Sequence, residues 1–73
     1  MKLVIQTPGN TTEVNGPLKT LMDFVRKDLA ARGLPASEVQ RHIYGLSFEM
    51  HRVRATTVAD SHSNFIAGYR ITR

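Results

Sequence analysis

Residues 17–32 read PLKTLMDFVRKDLAAR, and the fold turns on how that stretch is understood. Leu18, Leu21, Met22, Val25 and Leu29 recur at i, i+3, i+4, i+7 and i+11, the spacing that lines one face of an α-helix. Pro17 suits the first helical position, where its missing N–H has no intrahelical partner to lose. Gly33 suits the left-handed position just past the last turn, and Leu34 can then fold back on Leu29. Asp23 with Lys27, and Asp28 with Arg32, form i,i+4 pairs in which the acid precedes the base. Arg26, Lys27 and Arg32 lie towards the negative end of the helix dipole. A helix from Pro17 to Arg32 is therefore expected, with an apolar face that needs a second layer.

Before this helix, Lys2 to Thr7 (KLVIQT) reads as a strand stopped by Pro8-Gly9, a strong turn signal. Thr11 to Val14 can pair back on it. Pro-Gly favours a type II turn, whose twist suits tight hairpins poorly, so a loop is the alternative. After the helix, Pro35 restarts the chain. Ser37 with Gln40 resembles a capping box, Ala36, Val39 and Ile43 keep helical spacing, and Gly45 can end the segment. A short helix from Pro35 to Tyr44 follows.

Tyr44, Leu46, Phe48 and Met50 then alternate with more polar or smaller residues, which predicts a half-buried strand. Beyond His51 the apolar phase slips to Val53 and Ala55, and a β-bulge near His51-Arg52 would absorb the slip. Without it, Arg52 and Arg54 would follow Met50 towards the core, which is costly for unpaired charges. Val58 to Asn64 is a polar loop, and Phe65 to Thr72 is the last strand, with Phe65, Ala67, Tyr69 and Ile71 on its core side. Phe48 to Thr57 and Phe65 to Thr72 make a long hairpin, and the N-terminal strand joins an edge. The expected class is α+β. A small antiparallel sheet of three to four strands carries the main helix, Pro17 to Arg32, on one face, with a second short helix. Residues 1–73 form a single small globular domain.

Ten Lys and Arg against six Asp and Glu leave a net charge of +4. Residues 1–36 and residues 37–73 each hold five bases and three acids, but every base in the second half is Arg. Guanidinium suits planar, bidentate contact with carboxylate or phosphate better than ammonium does. There is no cysteine, which excludes disulfides and thiolate metal sites and fits a reducing compartment. Hydrophobic content of 41% is too high for a disordered tail. The longest early apolar run, Leu3 to Ile5, is far too short for a signal peptide or a membrane span. A cytoplasmic protein without membrane attachment is expected, in the host cytoplasm if the chain is phage-encoded.

The candidate site is a strip on the outer face of the sheet. With the bulge in place, Arg52, Arg54 and Arg70 share that face, with His51 and Arg73 nearby. Such a strip can take phosphates or an acidic protein surface. It can equally be a solvated face whose charges discourage edge pairing. Ile66, with Val4 and Val14, would add apolar docking surface if gathered together. The N-terminal strand, at an edge, could accept a partner's strand. Tyr44, Phe48, Phe65 and Tyr69 all fall on the presumed core side, which argues against a base-stacking platform.

His42, His51 and His62 lack helical metal-site spacing. Glu49 with His51, and Asp60 with His62, supply two ligands where zinc wants three or four. No metal or cofactor is expected. Asp60-Ser61-His62 has the residue types of a hydrolytic triad, but adjacent positions do not supply its relayed geometry, so no enzyme is expected.

In size, compactness and charge the chain resembles small phage-encoded or accessory regulators that bind a larger host enzyme, often one working on nucleic acid. That resemblance implies a non-enzymatic regulator or inhibitor docked on a larger complex, such as RNA polymerase or another nucleic-acid enzyme. The alternatives are direct DNA or RNA binding through the arginine-lined face, and a structural or assembly subunit.

Overall fold

The computed structural model describes the chain from Met1 to Arg73. In order it forms β1 (Lys2–Thr7), β2 (Asn10–Asn15), α1 (Leu18–Ala31), α2 (Ala36–Leu46), β3 (Val53–Ala59) and β4 (Phe65–Thr72). All strand pairs are antiparallel, and the sheet order is β2-β1-β4-β3. The α+β class holds, with four strands and two helices.

One side of the sheet carries both helices. Leu3, Ile5, Val58, Ala67, Tyr69 and Ile71 meet Leu21, Val25 and Leu29 of α1 and Val39, Ile43 and Leu46 of α2 in one buried cluster. The other side carries nothing. Lys2, Val4, Gln6, Ala55, Thr57, Gly68 and Arg70 lie on it, and none is buried.

Helix α1 keeps its expected face. Its start differs by one position: Pro17 is the cap residue, with ψ of 156°, rather than the first helical residue. Its end forms as the sequence suggests. Gly33 has φ of +88°, its N–H bonds to the Ala30 carbonyl (3.0 Å), and the Leu34 N–H reaches the Leu29 carbonyl (3.4 Å). These are the two bonds of a Schellman motif. Arg32 pairs with Asp28 at 3.0 Å, whereas Asp23 pairs with Arg26 at 2.8 Å rather than with Lys27.

The turn at Pro8-Gly9 does make a tight hairpin. Thr7 faces Asn10 across it, Gly9 takes φ of +86°, and β2 pairs with β1 along its whole length. The hairpin places β1 inside the sheet between β2 and β4, so the expected N-terminal edge strand is not an edge.

Helix α2 runs two residues past Tyr44 because Leu46 continues the buried series of Val39 and Ile43 at i, i+4 and i+7. Gly45 lies inside it. The expected capping box is absent: Pro35 is the cap residue and no side chain bonds there. The strand expected from Tyr44 to Met50 does not form. Its alternation is a coincidence in which Tyr44 and Leu46 belong to the helix, while Phe48 and Met50 face water.

Candidate docking site

Between α2 and β3 the chain reverses at His51 and Arg52, both left-handed, with φ of 54° and 66°. Two consecutive positive φ values match a type I′ hairpin turn. Met50 and Val53 close it with reciprocal backbone bonds of 2.9 and 3.0 Å. The expected bulge at His51-Arg52 is thus a reversal. The segment that should have led into β3 folds back alongside its edge.

This turn sets the parity of β3 and moves Arg54. Arg54 lies opposite Ile71, a core residue, so it points to the helix side and not to the outer face. Its Nη1 donates to the carbonyls of Leu46 (3.2 Å) and Ser47 (2.6 Å), at the C-terminal end of α2. A cation there meets the negative end of the helix dipole and occupies orphan carbonyls. Nε is buried without a partner. Next along the same side, the Thr56 hydroxyl and His42 Nδ1 lie 2.8 Å apart, tying β3 to α2.

The arginine strip therefore does not assemble. Arg52 and His51 occupy the exposed turn, and of Arg52, Arg54 and Arg70 only Arg70 projects from the open face. Arg73 is engaged with Glu49 at 3.0 Å. Ile66 is not an outer apolar residue. The register shifts where Val58 faces Ala67 but Ala59 faces Phe65. That irregularity leaves Ile66 half-buried against the core and exposes Phe65. Val14 also packs on the core, so of the three expected outer residues only Val4 is there.

Two surfaces replace the expected one. On the open face, Phe65 sits over Gly68, its ring 3.5 Å from where a Cβ would stand. With Val4, Gln6, Ala55, Thr57 and Arg70 it borders a shallow depression of ≈ 270 Å³. No carboxylate pairs with Arg70.

The second surface is more apolar and lies at the β3 edge. Tyr44, Phe48 and Met50 are 64%, 59% and 72% exposed. The Tyr44 and Phe48 rings meet edge to face at 4.9 Å. Phe48 and Met50 then line an open hollow of ≈ 540 Å³ with Gly45, Val53, Ala55, His51 and Glu49, whose carboxylate is taken up by Arg73. Helix α2 fixes Tyr44 and Gly45, and the I′ turn fixes Met50. The sequence held these apolar residues but gave them to the core. The overlooked sign was that Tyr44 falls out of phase with Val39, Ile43 and Leu46.

Polar clusters elsewhere support the fold. The Tyr69 hydroxyl donates to Asp28 at 2.5 Å, and Arg32 Nε lies 3.0 Å from both Asp28 and that hydroxyl. Burial first, and then the Asp28 carboxylate, push the Tyr69 phenol up to about 12. Asp60 staples the β3–β4 loop by accepting the backbone N–H groups of His62 (2.8 Å) and Asn64 (2.9 Å). Those bonds, the Asn64 amide foremost, hold its carboxyl below the usual range. Asp60 thus engages the main chain of His62 rather than its ring. No three His, Asp or Glu side chains gather as a metal site would need, and no helix is long and apolar enough to cross a membrane.

Comparison with protein-family models, curated proteins and solved structures returns no match to this chain.

Proposed function

We propose that this is a non-enzymatic binding protein that docks on a larger protein complex through Tyr44, Phe48 and Met50. The observation that carries the proposal is the exposure of these three large apolar side chains, 59–72% each, side by side at one edge of the sheet. Single exposed apolar residues are ordinary, but a contiguous group rimmed by charge marks an interaction surface. The two left-handed residues beside it add support, because strained backbone clusters at functional segments. A net charge of +4 favours association with an acidic surface or with nucleic acid, and a complex working on nucleic acid offers both. On that basis the partner is a complex of that class, such as a polymerase, and docking alters its activity by steric means.

The test is chemical cross-linking in host lysate with the wild-type chain and with a Phe48→Ser, Met50→Ser double variant. One protein partner is expected with the wild type and lost with the variant. Equal recovery by both chains refutes the patch.

A second reading, direct nucleic-acid binding, draws on Phe65 beside the unpaired Arg70 on the open face. An exposed ring and a cation can stack and neutralise a single strand. It predicts weak affinity for oligonucleotides with the shallow salt dependence of a single phosphate contact, lost in Phe65→Ala.

A further inference from the structure

The folded-back segment covers the outer edge of β3 at Val53, and the backbone groups left free beyond it can be identified. Val53 gives both its N–H and its carbonyl to Met50, outside the sheet, so both point away from β4. In an antiparallel ladder this direction alternates, so Ala55 and Thr57 point outward too. The far side of the sheet gives the same parity. Gly16 N–H bonds to the Met1 carbonyl, so the odd residues of β1 face β2 and its even residues bond to Gly68, Arg70 and Thr72. That leaves Ala67, Tyr69 and Ile71 to bond with Val58, Thr56 and Arg54. Ala55 and Thr57 have no strand beyond them.

Two devices that blunt an edge, an inward charge at Arg54 and a chain laid over Val53, act at its start. Beyond them Ala55, Thr56 and Thr57 are small and neutral, with no lysine, proline or charge. The other edge, β2, carries Glu13, held by Lys2 at 3.4 Å. Of the two edges only β3 borders the apolar hollow of Gly45, Phe48 and Met50.

We propose that the β3 edge accepts an extended, acidic segment of a partner protein as a fifth strand, paired to the backbone of Ala55 and Thr57. This rests on the docking reading above and names the partner's chemistry. Side chains of the added strand opposite Ala55 and Thr57 would share the open face. Ala55 lies directly across from Arg70, and its methyl is too short to screen that guanidinium. Two strand spacings, about 9.5 Å, separate Arg70 from the added strand, a gap that extended Arg and Glu side chains span together. Arg52, exposed and without a carboxylate partner, stands at one end of the same edge. The intervening side chains would turn to the helix side, over Gly45 and Phe48. The segment that fits alternates acidic with apolar residues.

The probe is a capped octapeptide alternating Glu and Val, titrated to millimolar concentration while amide exchange is followed by NMR. Protection of the Ala55 and Thr57 amides is expected, with at least tenfold weaker binding by the Lys-for-Glu peptide. Ala55→Pro removes an outward donor and no bond to β4, and should weaken binding at least tenfold. Arg70→Glu should invert the preference between the two peptides. Unprotected amides at Ala55 and Thr57 overturn strand addition. So does protection by oligothymidylate in place of the peptide, or self-association that Ala55→Pro abolishes. If the cross-linked complex survives Ala55→Pro but not Phe48→Ser with Met50→Ser, strand addition fails and the docking patch stands. If the complex survives both, the docking reading itself fails.

Discussion

Tyr69 and Arg54 show how single polar groups are tolerated beside so small a core. The Tyr69 ring is buried between the helices and the sheet, and its hydroxyl is matched by Asp28 and Arg32. A neutral phenol suits that site and a phenolate does not. Its folded pKa of about 12 lies above the ordinary 10.0, so between those values the unfolded chain has released a proton that the folded chain retains. Stability from this group is complete below pH 10 and falls as pH rises from 10 towards 12. Unfolding free energies from urea titration across that window should drop in the wild type by an amount on the order of 1–3 kcal/mol beyond the drop in Tyr69→Phe. Tyr69→Phe should in turn be less stable at neutral pH by about 1 kcal/mol, because Asp28 and Arg32 each lose the hydroxyl while keeping their own ion pair. Arg54 is the second case. Its guanidinium caps α2, so Arg54→Ala should cost roughly 1–3 kcal/mol in denaturant titration and leave the 47–52 segment exchanging faster. A variant as stable as the wild type would mean that water serves those carbonyls equally well.

At the scale of elements, Gly45 sets local stability against surface chemistry. It lies inside α2 with ordinary helical φ, and nothing stands within 4 Å of the Cβ it lacks. Gly45→Ala should therefore stabilise the protein by about 0.5–1 kcal/mol, read as a raised thermal midpoint. The same methyl would intrude on the hollow beside Phe48 and Met50, so partner binding should weaken as stability rises. These local forces also decide what the sequence could disclose. Helix α1 was legible because five apolar positions, a proline and a left-handed glycine agree. The C-terminal part of α2 was not, because Leu46 satisfies both a helical and an alternating pattern. The reversal at His51-Arg52 was hidden for a different reason. Type I′ turns are recognised by Asn-Gly or Asp-Gly, and His-Arg carries no such mark. From that one miss followed the wrong face for Arg54 and the lost arginine strip. The exposure of Phe65 has a separate origin, a register shift at Ala59 that alternation alone does not reveal.

For the whole molecule, the question is whether the apolar edge is a by-product of folding or a surface kept for another purpose. Sheet and helices close a core on one side only, and β4 unites the halves by pairing with both β1 and β3. Seventy-three residues leave little margin, since a chain of this length buries only about 60% of its unfolded surface. Every apolar side chain used inside is valuable, yet Tyr44, Phe48 and Met50 are spent outside. If they served the fold, truncating them would be felt as core truncations are. Ile43→Ala and Leu46→Ala should each cost about 2–5 kcal/mol, because each empties space in the buried cluster. Phe48→Ser with Met50→Ser, next to them in sequence, should lower the unfolding free energy by no more than about 0.5 kcal/mol each, the range of ordinary surface changes. The same double variant should also be more soluble at high concentration, since it removes exposed apolar area. A cost near that of Ile43→Ala would instead make the edge part of the scaffold, and the docking surface would lose its foundation.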